Sequence, residues 1–113
     1  MIFDNLTEKE EIHLRTKDLR NEDLDVVTKV LQKSDVLKKI DLWNNWIALV
    51  DGKFTDALAN NHTLRILDLT CNDISAEGTK RLATALKANQ TLQVISLYIN
   101  QIGNEGPKAW PMR

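Results

Sequence analysis

Asp41 and Asp68 are the residues of this chain most suggestive of chemistry. Each sits between two apolar residues (Ile40 and Leu42, Leu67 and Leu69) at the same phase of a repeating pattern, 27 positions apart. On adjacent strands two such carboxylates would lie about 5 Å from each other. Paired acids can exchange a proton with a substrate or hold a cation. No third carboxylate, enclosing loop or glycine-rich element accompanies them, so the pair reads as a solvated acidic patch. His13 falls in the same row, two strands from Asp68, and His62 falls at a helix end. Two histidines without Cys or Glu at ligand spacing do not make a metal site. Cys71 has no neighbouring base or cation to favour its thiolate. No catalytic residue, metal site or cofactor is therefore assigned, and the chain reads as non-enzymatic.

The elements that must carry these residues are legible from self-similarity. Leu64-Arg-Ile-Leu67-Asp-Leu69-Thr-Cys-Asn72-Asp-Ile74 overlays Leu92-Gln-Val-Ile95-Ser-Leu97-Tyr-Ile-Asn100-Gln-Ile102 at a spacing of 28. Leu37-Lys-Lys-Ile40-Asp-Leu42-Trp-Asn-Asn45-Trp-Ile47 precedes the first of these by 27. Within each copy, apolar and polar residues alternate, which predicts a short strand with one buried face. Asn45, Asn72 and Asn100 recur in phase at a turn position, where Asn bonds readily to loop backbone; the pattern resembles the leucine-rich repeat, which implies that they form a structural ladder. The period then shifts to that of a helix. Ser75 is the expected N-cap of a helix carrying Leu82, Ala85 and Leu86. Asp51 is the expected cap for Phe54, Ala57 and Leu58, and Asn21 for Val27, Val30 and Leu31.

A fainter copy comes first. Ile12, Leu14, Lys17 and Leu19 stand 28 residues before Ile40, Leu42, Asn45 and Ile47, with Lys17 in place of the ladder Asn. A polar terminal copy suits a capping repeat, and the box Thr7-x-x-Glu10 predicts one helical turn before it. The chain thus divides into a capping repeat over 1–36, full repeats over 37–63 and 64–91, and a truncated repeat over 92–113. Together they make a single α/β domain: a short right-handed solenoid of about four parallel strands with helices on the convex side.

The remaining numbers bound the function. At 113 residues, 42% apolar and 27% charged, the chain has an ordinary globular composition. A net charge of −1 gives no field for nucleic acid or anionic membrane. No apolar run approaches the length of a spanning helix. The first ten residues lack an apolar leader and there is one cysteine, which together predict a cytoplasmic, intracellular protein. Tripeptides at Asn5, Asn61 and Asn89 match the glycosylation acceptor. The last two share one repeat phase, so the repeat itself accounts for them.

The pattern L-x-x-L-x-L-x-x-N-x-I resembles the leucine-rich repeat, whose period is roughly 20–29 residues. The phrase Ala85-Leu86-Lys-Ala-Asn89-Gln-Thr91-Leu92 and the turn Asn100-Gln-Ile102-Gly103-Asn-Glu105-Gly106 are similar to the ribonuclease-inhibitor-like class. That class includes repeats of NOD-like receptors and of Ran GTPase-activating proteins. The resemblance implies a horseshoe scaffold whose strand residues between the core leucines face a concave sheet. It implies no particular partner, since one repeat fold serves many.

Three features depart from that class. Trp43 and Trp46 stand where small or polar residues are usual, the segment Trp46 to Val50 lacks a glycine turn, and Pro111 interrupts the expected fourth helix. On the concave face the candidate partner-binding residues are Arg15, Asp41, Trp43, Asp68, Thr70, Ser96 and Tyr98. Large aromatics on an exposed sheet are typical interface anchors, although Trp43 could instead pack on its neighbours. Trp46 either folds over Ile47 and Leu49 or forms a second exposed anchor. Trp110 is expected to fold back over the C-terminal end, or two chains are expected to meet there as a homodimer. The leading function is binding of a protein partner on the concave face. The alternatives are regulation of a GTPase or other enzyme, with Arg15 the one strand-face arginine, and self-assembly through the solenoid ends.

Overall fold

In the computed structural model, residues 6–98 and 100 are described. Four parallel strands form one open sheet in sequence order: β1 (Glu11–His13), β2 (Lys39–Asp41), β3 (Ile66–Asp68) and β4 (Val94–Ser96). Between them run α1 (Leu24–Lys33), α2 (Lys53–Asn60) and α3 (Ala76–Ala88), each packed on the next. A three-residue 3-10 turn at Leu6–Glu8 precedes the first strand and rests on α1.

The alternation in sequence dictates the core. Ile12, Ile40, Leu67 and Ile95 are direct partners across the three strand pairs. Their side chains point towards the helices, and the first three are fully buried. Leu14, Leu42 and Leu69 follow two residues later in the same buried stack. The helices close it with Val27, Val30 and Leu31, with Phe54, Ala57 and Leu58, and with Leu82, Ala85 and Leu86. No repeat could bury this surface alone, which is why the copies must stack.

Two polar ladders stitch the stack. The Asn45 amide donates to the carbonyls of Leu14 (2.9 Å) and Leu42 (3.0 Å), and its oxygen accepts from Lys17 and Leu19 N–H. Asn72 and Asn100 repeat the arrangement on the next two strands, each donating to the carbonyls of its own and the preceding strand and accepting one N–H. A second ladder at the helix ends has no counterpart in the sequence reading. Ser34, Asn61 and Asn89 accept the N–H groups that open each next strand, and Asn61 and Asn89 also donate back to Leu31 and Leu58. Both asparagines are buried, so the two acceptor tripeptides are structural: a glycan there would displace the ladder. Asn5 lies outside the described residues.

Helix starts differ from two of the three expectations. Ser75 caps α3 as its type predicts, accepting from Gly78 N–H at 3.2 Å. Asn21 does not cap α1. The cap position is Asp23, and Asn21 turns to the next repeat, accepting from Ala48 and Leu49 N–H. There it satisfies the N–H of the buried Leu49, which stands at φ 59° outside any helix or strand. Gly52, not Asp51, holds the α2 cap position at φ 78°, while the Asp51 carboxylate still accepts from Lys53 N–H. The missing glycine between Trp46 and Val50 is thus offset by a strained Leu49 and by Gly52 just beyond. Gly78 is required for another reason: a β-carbon there would stand 2.3 Å from the Ala48 carbonyl oxygen, so α3 could not approach the preceding loop.

Candidate concave-face binding site

The strand register sets the sheet face in three rows. Glu11, Lys39, Ile66 and Val94 form the first, and His13, Asp41, Asp68 and Ser96 the second. Two residues further on, Arg15, Trp43, Thr70 and Tyr98 form the third, joined by bonds from Thr16 N–H to Trp43, Asn44 N–H to Thr70 and Cys71 N–H to Tyr98. Those three donors all lie in the left-handed region, at φ 52°, 58° and 57°, immediately before Lys17 and the ladder residues Asn45 and Asn72. Cys71 is therefore a half-buried turn residue fixed by the repeat.

Asp41 and Asp68 occupy adjacent strands in direct register, but their environments diverge. Asp41 is 1% exposed. One carboxylate oxygen accepts from Trp43 N–H at 3.1 Å; the other is held by the Arg15 guanidinium, with His13 Nδ1 3.9 Å away. This corrects the reading of Asp41 as part of a solvated patch open to a partner. The carboxylate is buried beneath its own ion pair, because the guanidinium of the preceding strand reaches it diagonally across the face. Arg15 is raised above the usual arginine pKa, first by its hydrogen bond to Asp41 and then by the charges of Asp41 and Asp68. Its guanidinium also lies 5.5 Å from the Trp43 ring centroid, a cation–π distance. The half-buried Trp43 therefore packs on its neighbour.

Asp68 keeps the inner bond, accepting from Thr70 N–H at 2.9 Å. The phase that supplies Arg15 to Asp41 here carries Trp43, and among the described residues no cation forms an ion pair with Asp68. Around it the face is apolar: Ile66 is exposed, Val94 is 50% exposed and Tyr98 75%. Thr70 and Ser96 are half-buried beside them.

Trp46 lies beyond the sheet face and takes the outward option. It is 53% exposed, its Nε1 donates weakly to Asp18 at 3.4 Å, and Arg20 lies 5.7 Å from its ring centroid. Trp110 and the expected end-to-end contact fall outside the described residues. Among the described residues no group of three or more His, Cys, Asp or Glu is placed to hold a metal ion. None of their helices is long and apolar enough to cross a membrane. A shallow cleft of about 270 Å³ opens at the ends of α1 and α2, lined by Ser34, Asp35, Asp56, Asn61 and His62 among others. It lies away from the sheet face, and its amides are taken up by the helix-end ladder.

A leucine-rich repeat family model matches residues 60–83, the end of α2, β3 and the first half of α3. The same unit recurs before and after it in the sheet. The fold is a leucine-rich repeat solenoid. Among curated proteins, none matches the sequence. Solved structures that match the solenoid include leiomodin-1 actin-binding site 2, with a TM-score of 0.79 and 25% identity over 95% of this chain. The chain spans 64% of that structure.

Proposed function

We propose that this repeat solenoid is a non-enzymatic, intracellular protein-binding module whose partner seats on the concave sheet face. The observation that carries the reading is the exposed group Ile66, Val94 and Tyr98 on the last two strands. Apolar side chains on a sheet face that no element of the described fold covers mark interaction surfaces. Residues Thr70 and Ser96 supply polar contacts between them, and Asp68 a charge. Arg15 contributes differently from a catalytic arginine. Held by Asp41 and Trp43, it shapes the edge of the surface and is not free to reach into a nucleotide site.

Because the matched solved structure is an actin-binding site, actin is the first partner to test. The measurement is binding of the purified full chain to monomeric actin, for wild type and for a Val94→Glu, Tyr98→Ala double variant. Loss of binding in a variant that melts like wild type supports the sheet face. Equal binding by both removes the sheet face, and no binding by wild type removes actin.

A further inference from the structure

We infer that the C-terminal half of this face recognises an arginine of a partner protein, its guanidinium on Asp68 and the residues beside it on Val94 and Ile66. The inference rests on the sheet-face reading and deepens it by naming the chemistry of the partner.

The chain carries its own template. Arg15 crosses diagonally from β1 to the Asp41 carboxylate while its guanidinium stacks near the Trp43 ring. That three-part arrangement of carboxylate, guanidinium and aromatic ring is a favourable way to hold a planar cation. Asp68 is the same position one repeat on. Its inner oxygen is fixed by Thr70 N–H as that of Asp41 is fixed by Trp43 N–H. Thr70 stands where the template has its ring, and the exposed ring of Tyr98 stands instead in the third row of the flanking strand, within diagonal reach. The side chain that the preceding strand offers to Asp68 is Trp43, where the same phase offers Arg15 to Asp41, so a cation must come from outside the chain's own third row.

The charges nearby point the same way. The carboxylate of Asp41 is neutralised by Arg15, and Glu11 is engaged by His13 at 2.9 Å. Asp68 is left as a half-buried carboxylate without an ion pair of its own: Arg15 acts on it only through space and is bonded to Asp41, Lys39 lies diagonally across on β2, and the apolar side chains on its other side strengthen its pull on a cation. Arginine fits better than lysine because one guanidinium can hold the carboxylate edge-on and still lie flat against Tyr98, whereas an ammonium is a point charge.

The test uses immobilised full-length chain and an array of nonapeptides with Leu and Val flanking a central arginine, lysine or citrulline. Arginine peptides should be retained about tenfold better than their citrulline counterparts, the scale of a hydrogen bond to a charged group. Asp68→Asn should erase that preference, Asp68→Lys should turn it towards central glutamate, and Asp41→Asn should leave it in place. Equal retention of arginine and citrulline peptides, or a preference that survives Asp68→Asn, overturns the inference. If peptides bind without charge preference and Val94→Glu abolishes binding, arginine recognition falls while the sheet face stands. If binding is unaffected by Val94→Glu, both fall.

Discussion

The first two strands and the last two present opposite surfaces on one sheet. On β1 and β2 the face is charged, and apart from Lys39 its charged groups are engaged with one another: Glu11 with His13, and Arg15 with Asp41 and Trp43. On β3 and β4 the same rows carry Ile66, Val94 and Tyr98, all exposed, around Asp68. The core beneath does not share this asymmetry. Leu42 and Leu69 are both fully buried at the same depth of the stack. The repeat therefore fixes the scaffold evenly and leaves the face free to differ from strand to strand. Charge content alone is a poor guide to a binding surface: most ionisable groups of the charged half are already engaged within the chain.

The largest effects should fall where the two halves are alike. Leu42→Ala and Leu69→Ala should each cost roughly 2–5 kcal/mol by chemical denaturation, since both leave a cavity in the stacked core. Costs differing by more than the spread for such cavities would show that the halves differ in their core as well as on their surface. Next comes Asn45→Ala. It deprives the N–H groups of Lys17 and Leu19 of their acceptor and the carbonyls of Leu14 and Leu42 of a donor. At roughly 1–3 kcal/mol for each buried group left unpaired and partly rescued by water, about 2–4 kcal/mol is expected. An unchanged melting temperature would mean that water takes over the ladder.

The scaffold was far more legible in the sequence than the site. Period-two alternation followed by period 3.6 placed every described strand and helix, because burial of one face is what both periods record. The Asn ladder was visible as a recurrence. The recurrence of Asn61 and Asn89 was visible and attributed to the repeat, but not as a second ladder, and Ser34 escaped because a serine hydroxyl fills the same role with a different letter. Asn21 was misplaced because a good capping residue near a helix start can instead serve the loop of the next repeat, 27 positions away. Asp41 and Asp68 look identical in sequence. Only the diagonal geometry that brings Arg15 onto one of them separates a buried ion pair from a half-buried carboxylate with no ion pair of its own.

That separation gives the next prediction. Asp41→Asn should destabilise by about 1 kcal/mol, because a buried acceptor remains but its charge-assisted bond to Arg15 is lost. Asp68→Asn should change stability by less than about 0.5 kcal/mol, as surface substitutions do when the local hydrogen bond is retained. Arg15 cannot confuse the comparison through pH. Its pKa is raised, so its contribution is complete below the ordinary arginine value and fades only above it, beyond any pH used to measure folding. Equal destabilisation by the two variants would break the contrast between the halves.

The smallest expected effect on folding belongs to Tyr98→Ala, and its smallness is the point. Tyr98 is 75% exposed, so little of its ring is removed from water by the fold itself. Its backbone carbonyl, which accepts from Cys71 N–H, is untouched by the substitution. Thermal stability should therefore stay within about 0.5 kcal/mol of wild type, while affinity for a partner seated on β3 and β4 should fall at least several-fold, as truncating an aromatic anchor does. Trp43→Ala should show the reverse balance, since its half-buried ring packs against Arg15 inside the chain. Melting curves and binding isotherms on the same two proteins decide the matter. A Tyr98→Ala variant that melts well below wild type and binds as wild type does would make the exposed half structural and the paired half the binding surface.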